Sequence, residues 1–339
     1  MMKSNISKYI FNKISKYNLS ADSLDIIDVD QTHNLTQMRS PSKGIMNLKI
    51  INHINLPNRF HEKINGVLSI GDIYISCGET HSERRTRKLK TIIPGFKNIF
   101  LFFDFLYRRV LPKLPLIKNI YFRIIKKQNK VMSKTEILGR VISSGFNILE
   151  YFEYENLLYI ISKKVENPQF DKNASYGILF KMKRVGYNGK IIGFYKFRTM
   201  YPYAEYCQEL IDKENKLSDS GKFQNDFRVT YWGRFLRKFW IDELPMLFNF
   251  LKRDLNLVGV RPLSKGYFSK YPEDLQKLRI QIKPGLIPPY YADMPKKFQE
   301  ILDSERMYIK KKIKHPFKTD FIYFYKALIN IVFKGARSN

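Results

Sequence analysis

An adjacent pair of carboxylates at the start of a helical pattern is the feature that most constrains this chain. The pair is Asp242-Glu243, and Pro245 follows within the first turn, where a missing backbone N–H is tolerated. Asp242 is suited to cap this helix because its side chain can accept hydrogen bonds from free backbone N–H groups. The apolar residues that follow at helical spacing are Leu244, Leu247, Phe248 and Leu251. The segment predicts an amphipathic helix with a carboxylate pair at its positively polarised N-terminus.

Fixed positive charges flank this pair on both sides. They are Arg228, Arg234, Arg237, Arg253 and Arg261. Because guanidinium groups bind phosphate through parallel hydrogen bonds, a carboxylate among arginines suits chemistry on an anionic substrate such as a phosphate ester. The spacing alone leaves a second interpretation open, in which Asp242 only caps the helix and Glu243 is solvated.

Two further segments present basic residues. Asn188-Gly189 predicts a hairpin with a type I′ turn, because that turn needs positive φ at both central residues. In the second strand, residues 191–199, alternation puts Lys196 and Arg198 on one face, which is either aimed at phosphates or solvated. Arg261, between Gly259 and Pro262, is either presented to a substrate phosphate by a fixed loop or an ordinary surface arginine.

Four ordered blocks and a weaker fifth cover the C-terminal half of the chain. They are LFKMKRVGYNGK (179–190), YKFRTM (195–200), RVTYWGRFLRKFWIDELPMLFN (228–249), LVGVRP (257–262) and IKPGL (282–286). With these blocks, residues 176–339 resemble the bacterial sugar transferase family, the polyprenyl-phosphate sugar-1-phosphate transferases (monotopic phosphoglycosyl transferases). The resemblance implies an α/β catalytic domain of the sugar transferase type with amphipathic interfacial helices.

The resemblance also implies a reaction. Asp242 would attack the β-phosphate of a nucleotide diphospho-sugar, expected to be a UDP-sugar, and hold the sugar phosphate covalently. Membrane polyprenyl phosphate would then accept it, which initiates synthesis of a surface polysaccharide or glycan. Glu243 would be the partner of Asp242 in binding Mg²⁺ or handling protons, and Mg²⁺ suits a site with few carboxylates because it also binds substrate phosphates and water. The expected phosphate-binding residues are Lys196, Arg198, Arg228, Arg234, Arg237 and Arg261.

The sequence departs from the family pattern at three places. Phe239-Trp240-Ile241 stand where small or hydroxyl residues are usual, and Val260 stands where proline is usual. Residues 161–177 are polar, whereas the family has a long apolar re-entrant helix there. Either the membrane attachment has moved elsewhere in this chain, or part of the usual site is lost.

The composition is typical of a protein that binds anionic molecules or an anionic surface. Sixty Lys and Arg against 31 Asp and Glu give a net charge of +29, and aromatic residues make up 15%. Such a charge favours nucleic acid, anionic lipid or phosphorylated substrates. With the family resemblance, the expected anionic membrane surface is the cytoplasmic face of a bacterial inner membrane. The two cysteines, Cys77 and Cys207, favour a reduced compartment, although two can pair. No apolar signal sequence or charge-free stretch of about 18 residues appears.

The N-terminal half predicts an accessory region before the catalytic domain at residues 175–339. Residues 1–45 are polar, which is typical of poor order. Residues 46–168 predict an accessory α/β region with a helix near 133–145 and two strands within 146–164. This layout resembles the C-terminal half of a class I methyltransferase fold, as a remnant without a glycine-rich cofactor loop.

Two segments are candidates for membrane contact. Residues 96–127 combine aromatic runs with prolines and with Arg108, Arg109, Lys126 and Lys127, which favours two short helices inserted into one leaflet. The alternative is a helical hairpin on a soluble core, which Asp104 favours. Residues 321–333 predict an apolar helix capped by Thr319 or Asp320, which lies either in the headgroup boundary or on its own domain.

Two other function classes stay open. One is a metal-dependent glycosyltransferase that uses Asp28-Val29-Asp30 as its metal motif. The other is a basic nucleic-acid-binding protein. We expect no nucleic-acid partner, because the carboxylate pair would repel a phosphate backbone unless a metal intervened.

Overall fold

The chain divides into two units, and each is described by itself. The computed structural model describes residues 9–17, 23–29, 43–91, 96–107, 111, 117–124, 130–169, 177–214 and 226–335. The first unit consists of Met1–Ala174 and Tyr201–Lys213, and the second consists of Ser175–Met200 and Glu214–Asn339. Both units combine helices with strands, so the predicted α/β class is confirmed.

The first unit is built on a five-stranded sheet. Its strands are β1 (Asp25–Ile27), β2 (Gly44–Ile50), β3 (Ile73–Gly78), β4 (Phe146–Tyr154) and β5 (Leu157–Lys164). The strand order is β1-β2-β3-β5-β4. Strands β1, β2 and β3 are parallel, whereas β5 runs antiparallel to both of its neighbours. The strand pair predicted within residues 146–164 is confirmed, and its turn has positive φ at Glu155 and Asn156.

Helices accompany this sheet. They are α1 (Pro57–Val67), α2 (His81–Thr91), α3 (Lys97–Phe105), α4 (Lys118–Ile124), α5 (Lys134–Ser143) and α6 (Gln208–Glu214). Helix α5 confirms the helix predicted near residues 133–145. The Ser133 hydroxyl accepts a hydrogen bond from the Glu136 N–H at 3.1 Å, and the Ser133 N–H donates to the Glu136 carboxylate at 2.7 Å. This reciprocal capping box fixes where α5 begins.

Part of the polar N-terminal stretch is ordered, contrary to the expectation of poor order for residues 1–45. Residues 9–14 are helical, and β1 lies within this stretch. Ile10, Ile14 and Leu24 are buried in the same apolar cluster as Ile73 and Ile161. A few isoleucines and one leucine at the right spacing therefore suffice to dock a mostly polar segment.

The aromatic segment at residues 96–127 contains two short helices, α3 and α4, as predicted. Asp104 in α3 forms an ion pair with Arg84 at 2.6 Å, which explains how a carboxylate is tolerated in an apolar run. Phe102 and Phe103 are 57% and 61% exposed. Arg108, Arg109, Lys126 and Lys127 lie outside the described residues.

Both cysteines are in the first unit, and both are buried as thiols rather than joined in a disulfide. Burial raises the pKa of the Cys77 thiol to about 12. Within the described part of the chain no helix combines the length and the apolar character needed to cross a membrane.

The second unit begins with the predicted hairpin, β6 (Leu179–Val185) and β7 (Ile191–Phe197). Asn188 and Gly189 have φ of 51° and 71°, so the predicted turn conformation is confirmed. A second, parallel pair consists of β8 (Asn256–Val258) and β9 (Gly285–Ile287). A Cβ on Gly285 would lie 2.1 Å from the Gly259 nitrogen, so the two backbones can approach this closely only with glycine there.

The helices of the second unit surround these strands. They are α7 (Tyr231–Lys238), α8 (Leu247–Leu251), α9 (Lys265–Phe268), α10 (Glu273–Arg279), α11 (Tyr290–Asp293), α12 (Phe298–Lys314) and α13 (Pro316–Phe333). A 3₁₀ helix, Ile241–Met246, lies between α7 and α8. The main apolar cluster includes Val258, Leu275, Tyr308 and Tyr323.

The C-terminal helix α13 is docked on its own unit by one face. Tyr323, Ala327 and Asn330 are buried, and the Asn330 amide donates to two backbone carbonyls at 2.9 Å. The predicted caps are wrong, because the helix begins at Pro316 and the Asp320 carboxylate instead accepts a hydrogen bond from the Tyr308 hydroxyl at 2.8 Å. The remaining surface exposes Lys318 and Lys326 together with six large apolar side chains, Phe317, Phe321, Tyr325, Leu328, Val332 and Phe333. The docked face confirms that this helix packs on its own domain, and contact of its exposed face with a headgroup boundary stays a prediction.

Candidate active site

The carboxylate pair lies in the 3₁₀ helix rather than at a capping position. Thr230 caps the preceding helix α7, accepting from the Gly233 N–H at 2.8 Å. Trp240 then adopts a left-handed conformation with φ of 54°. The 3₁₀ helix begins after it at Ile241, so the prediction that Asp242 is the N-cap is wrong. The Asp242 side chain is thereby left to interact with other charged groups.

Lys196 and Arg261 converge on this pair. The Lys196 ammonium lies 2.5 Å from Glu243 Oε1 and 3.9 Å from Asp242 Oδ2. The Arg261 guanidinium lies 3.1 Å from the same Glu243 oxygen and donates to the Tyr290 hydroxyl at 2.6 Å. Glu243 therefore orients two cations, while Asp242 faces one of them without a direct hydrogen bond.

Burial tunes the ionisation of this cluster. The Asp242 side chain is only 11% exposed. Burial raises the pKa of Asp242, and the positive charge of Lys196 opposes that rise. Burial also lowers the pKa of Lys196, against the opposing effect of Glu243. A desolvated carboxylate with a raised pKa is a better nucleophile when ionised than a solvated one.

Arg237 and Arg228 lie beside the cluster with different partners. Arg237 Nε donates to the Thr199 hydroxyl at 2.9 Å. Burial lowers the pKa of Arg237, and the charges of Asp242 and Asp226 oppose this. Arg228 is buried and pairs with Asp226 at 2.8 Å. Arg228 thus has its charge compensated by a neighbouring carboxylate, whereas Arg237 is oriented by a hydroxyl within the field of Asp242.

The structure does not bring Arg198 and Arg234 into the cluster. Strand β7 ends at Phe197, directly before Arg198. Arg198 Nε instead donates to the Gly177 carbonyl at 2.9 Å, and its guanidinium lies over the Phe180 ring. Arg234 is exposed on α7.

A cavity of about 360 Å³ opens beside Glu243. It is lined by Met182, Arg184, Phe194, Lys196, Glu243, Met246, Arg261, Pro262, Leu263, Ser264, Tyr267, Gly285, Leu286 and Pro288. Three of these residues, Arg184, Ser264 and Tyr267, were not predicted from the sequence as site residues. For Arg184 a signal existed, because it alternates with Met182 along β6 and so shares its face.

The loop that carries Arg261 is fixed from two sides. The Gly285 N–H donates to the Val260 carbonyl at 3.0 Å, and the Val185 N–H donates to the Leu263 carbonyl at 2.9 Å. The Arg279 guanidinium also donates to the Arg261 carbonyl at 2.5 Å. The guanidinium of Arg261 is therefore presented by a backbone that is held on both sides.

The donor set is compatible with Mg²⁺ only together with substrate. Among the described residues there is no group of three or more His, Cys, Asp or Glu side chains that could hold a metal ion. Mg²⁺ is commonly bound by one or two carboxylates plus substrate phosphates and water, and the Asp242-Glu243 pair fits that pattern. The alternative motif begins at Asp28, directly after β1, and Asp30 lies outside the described residues.

Exposed apolar side chains occupy the helices next to the carboxylate pair. On α7 and directly after it they are Tyr231, Trp232, Phe235 and Phe239. The apolar face predicted from helical spacing is present, but Leu244, Leu247, Phe248 and Leu251 are exposed rather than packed in a core. Leu251 is 74% exposed. Such a contiguous apolar surface is typical of a site of contact with another apolar partner.

Comparison with known proteins places this unit in a family context. The model of the bacterial sugar transferase family matches residues 169–334, which contain the carboxylate pair, the cavity and both hairpin strands.

Three curated relatives match about a third of the chain. Galactosyl transferase CpsE of Streptococcus agalactiae is 42% identical over 120 residues, which are 35% of this chain and 26% of that protein. An undecaprenyl-phosphate galactose phosphotransferase of Salmonella typhimurium is 38% identical over 113 residues, 32% of this chain and 24% of that protein. A UDP-glucose:undecaprenyl-phosphate glucose-1-phosphate transferase of Klebsiella pneumoniae is 36% identical over 118 residues, 34% of this chain and 23% of that protein. The matched segment thus spans about a quarter of the length of each relative.

Proposed function

We propose that the chain, whose residues 169–334 match the model of the bacterial sugar transferase family, transfers a sugar 1-phosphate from a nucleotide diphospho-sugar to polyprenyl phosphate. The observation that carries the proposal is Asp242, desolvated beside Lys196 and next to Glu243, at the edge of a cation-lined cavity. The names of the Salmonella and Klebsiella relatives, which specify undecaprenyl phosphate, support the acceptor. The Klebsiella name, which specifies UDP-glucose, supports a UDP-sugar donor.

In the first step, Asp242 is the nucleophile. An Asp242 carboxylate oxygen attacks the β-phosphorus of the donor, and the bond from that phosphorus to the oxygen bridging the two phosphates breaks. The nucleoside monophosphate leaves with the bonding electrons, and the sugar phosphate stays on Asp242 as an acyl phosphate. Lys196 and Arg261 lie where they can offset the charge that develops on the phosphate oxygens.

In the second step, a phosphate oxygen of the polyprenyl phosphate attacks the same phosphorus. The bond to Asp242 breaks, which regenerates the carboxylate and yields a polyprenyl diphospho-sugar. Neither step needs a base to activate the nucleophile, because both the aspartate and the lipid phosphate are anions near neutral pH. Positioning and charge neutralisation are therefore the main demands on the protein.

Mg²⁺ fits this site as a further source of positive charge. Glu243 would hold the ion together with the donor phosphates, and Asp242 would contribute as long as it does not carry the sugar phosphate. When bound, the ion supplies charge neutralisation at the diphosphate. Lys196 and Arg261 already contact Glu243 from the protein side and hold its carboxylate in place.

A membrane surface is the partner that best fits the exposed apolar residues around the site. Exposed Trp232 and Phe235 on α7 alternate with the basic residues Arg234 and Lys238. Aromatic and basic side chains on one helix suit the headgroup boundary of an anionic bilayer. The acceptor lipid would then lie in the same plane as the nucleophile.

The reaction is tested by donor turnover. Full-length protein in detergent, supplied with Mg²⁺ and undecaprenyl phosphate, is expected to release UMP, not UDP, from at least one member of a panel of UDP-sugars. Without the lipid acceptor, the protein should retain a radiolabelled sugar phosphate. Release of UDP would instead indicate an ordinary glycosyltransferase, and no turnover with UDP-, GDP-, ADP- or CDP-linked sugars would reject the proposal.

The membrane surface is tested by vesicle co-sedimentation. The double variant Trp232→Ser/Phe235→Ser is expected to bind phosphatidylglycerol vesicles less than wild type, and Ile191→Ser on the hairpin serves as an exposed apolar control. Point substitutions are preferable to removal of the C-terminal helix, because Tyr323 and Ala327 belong to the core. Equal sedimentation of the double variant and wild type would contradict a membrane role for α7.

A further inference from the structure

The cavity beside the carboxylate pair contains more positive charge than its acidic residue can balance. Arg184, Lys196 and Arg261 line it, against one lining carboxylate, Glu243. Clustered cations are costly to bury unless an anion offsets their repulsion. This excess of charge indicates that the cavity accommodates an anion.

Strand register orders these cations along the hairpin. Residues directly opposite each other in an antiparallel pair project to the same face, and Arg184 pairs with Ile192 while Phe180 pairs with Lys196. Arg184 and Lys196 therefore share a face, with the two positions separated by four residues, about 13 Å along the strand. Lys196 lies at the end beside Asp242, and Arg184 lies towards the turn.

The partners of the three cations differ. Lys196 and Arg261 both contact the Glu243 carboxylate. Arg184 donates to the Met182 thioether at 3.1 Å and to the Lys183 carbonyl at 3.2 Å. Within the described parts of the chain, Arg184 forms no ion pair with a carboxylate, although it lies close enough to Arg261 to be repelled by it.

We propose that Arg184 binds the α-phosphate of the donor, the phosphate that leaves as nucleoside monophosphate. This inference rests on the proposed function, in which Asp242 attacks the β-phosphate at the Lys196 end of the cavity. The second phosphate of the donor then lies further from Asp242, on the side where Arg261 and Arg184 meet. A guanidinium that lacks a carboxylate partner is suited to bind that phosphate through two parallel hydrogen bonds.

Nucleotide binding tests this role without requiring turnover. Wild type, Arg184→Gln, Arg184→Lys and Lys183→Gln are titrated calorimetrically with UMP, GMP, AMP and CMP. Lys183 is the matched control, because it is an exposed cation of the same strand that projects to the opposite face. Thermal melts of all four proteins check that the fold is retained.

We expect wild type and Lys183→Gln to bind one of these nucleotides equally well. Arg184→Gln should weaken that binding at least about tenfold, because a charge-assisted hydrogen-bond pair is lost, and Arg184→Lys should recover part of it. With the matching donor, the KM of Arg184→Gln should rise by a similar factor. The same variant should also become less sensitive to inhibition by the monophosphate.

Two results would overturn the inference. One is an Arg184→Gln protein whose nucleotide affinity and donor KM stay within twofold of wild type. The other is a wild-type protein that binds none of the four monophosphates. Failure of the proposed function looks different, since wild type would then bind a nucleotide through Arg184 but never transfer a sugar phosphate.

Discussion

Two of the buried ionic clusters in the second unit are built differently. In the first, Glu305 on α12 pairs with Arg279 on α10, and the two side chains are 2% and 4% exposed. One carboxylate pairs with one guanidinium there, and the centre of the Tyr271 ring lies 4.9 Å from the guanidinium. In the second, Asp242 and Glu243 meet Lys196 and Arg261 at the edge of a cavity.

This difference indicates which cluster is structural and which is available to a ligand. The Glu305–Arg279 pair is closed, and its remaining hydrogen bond goes to the Arg261 carbonyl. It therefore anchors the loop that presents Arg261. The Asp242-Glu243 cluster is open on one side, and Arg184 adds a further cation there. Substitutions should affect stability in the closed cluster and turnover in the open one.

The largest expected effect is the loss of the nucleophile. Asp242→Asn keeps the shape of the side chain but removes its anionic oxygen, so UMP release and the covalent adduct should fall by more than about a thousandfold. Its thermal melt should stay near that of wild type, because Asp242 lacks a direct hydrogen bond from Lys196. Asp274→Asn, an exposed aspartate paired with Arg306, is the matched control. Near-normal UMP release by Asp242→Asn would remove Asp242 from the mechanism.

Much of the open cluster can be predicted from the sequence, because the signals that place its residues are local. Adjacent carboxylates at Asp242-Glu243 need no tertiary information to be found. The Asn188-Gly189 hairpin follows from backbone preferences of a few residues. These rules place Lys196 on a strand and the carboxylate pair on a helical segment, which is most of the open cluster.

The closed cluster should respond in stability. Glu305→Gln leaves the Arg279 charge buried without its partner, which should destabilise the fold by about 3–5 kcal/mol in denaturant titrations. The double variant Arg279→Met/Glu305→Leu removes both charges and should regain much of that stability. The double variant should nevertheless turn over the donor more slowly than wild type, because the Arg261 carbonyl has lost its hydrogen bond from Arg279. A single variant as stable as wild type would show that the pair does not hold the fold.

The geometry of the guanidinium should matter in the open cluster. Arg261→Lys keeps the charge but cannot contact Glu243 and Tyr290 simultaneously, so kcat/KM should fall about tenfold to a hundredfold. Arg234→Lys on the exposed part of α7 serves as the control and should have little effect in detergent. Full kcat/KM in Arg261→Lys would mean that only its charge is used.

Other parts of the site could not be read from the sequence, because tertiary partners decide them. Arg237 is oriented by Thr199, which is distant in the chain, whereas Arg228 pairs with the nearby Asp226. Arg198 donates to the Gly177 carbonyl and lies over the Phe180 ring, two partners that alternation along β7 does not predict. Trp240 occupies a left-handed conformation that residue preferences disfavour, and its indole N–H donates to the Tyr291 hydroxyl at 2.7 Å. This hydrogen bond between distant residues holds Trp240 directly before the 3₁₀ helix, which begins at Ile241, so Asp242 is not the N-cap that its sequence position predicts.

The smallest expected effect is a shift in the pH dependence of the open cluster. The reactive form of Asp242 is the carboxylate, and burial raises its pKa, so kcat/KM should decline on acidification at a pH above the ordinary aspartate value of about 3.9. Lys196 opposes that rise, so Lys196→Gln should move the acidic limb to still higher pH, in addition to lowering the rate. Profiles of kcat/KM from about pH 4 to about pH 9 for both proteins measure the two limbs. Glu305→Gln should leave the position of the limb unchanged, since its carboxyl is in the closed cluster. An acidic limb that stays in place or moves to lower pH in Lys196→Gln would mean that Lys196 does not set the ionisation of Asp242.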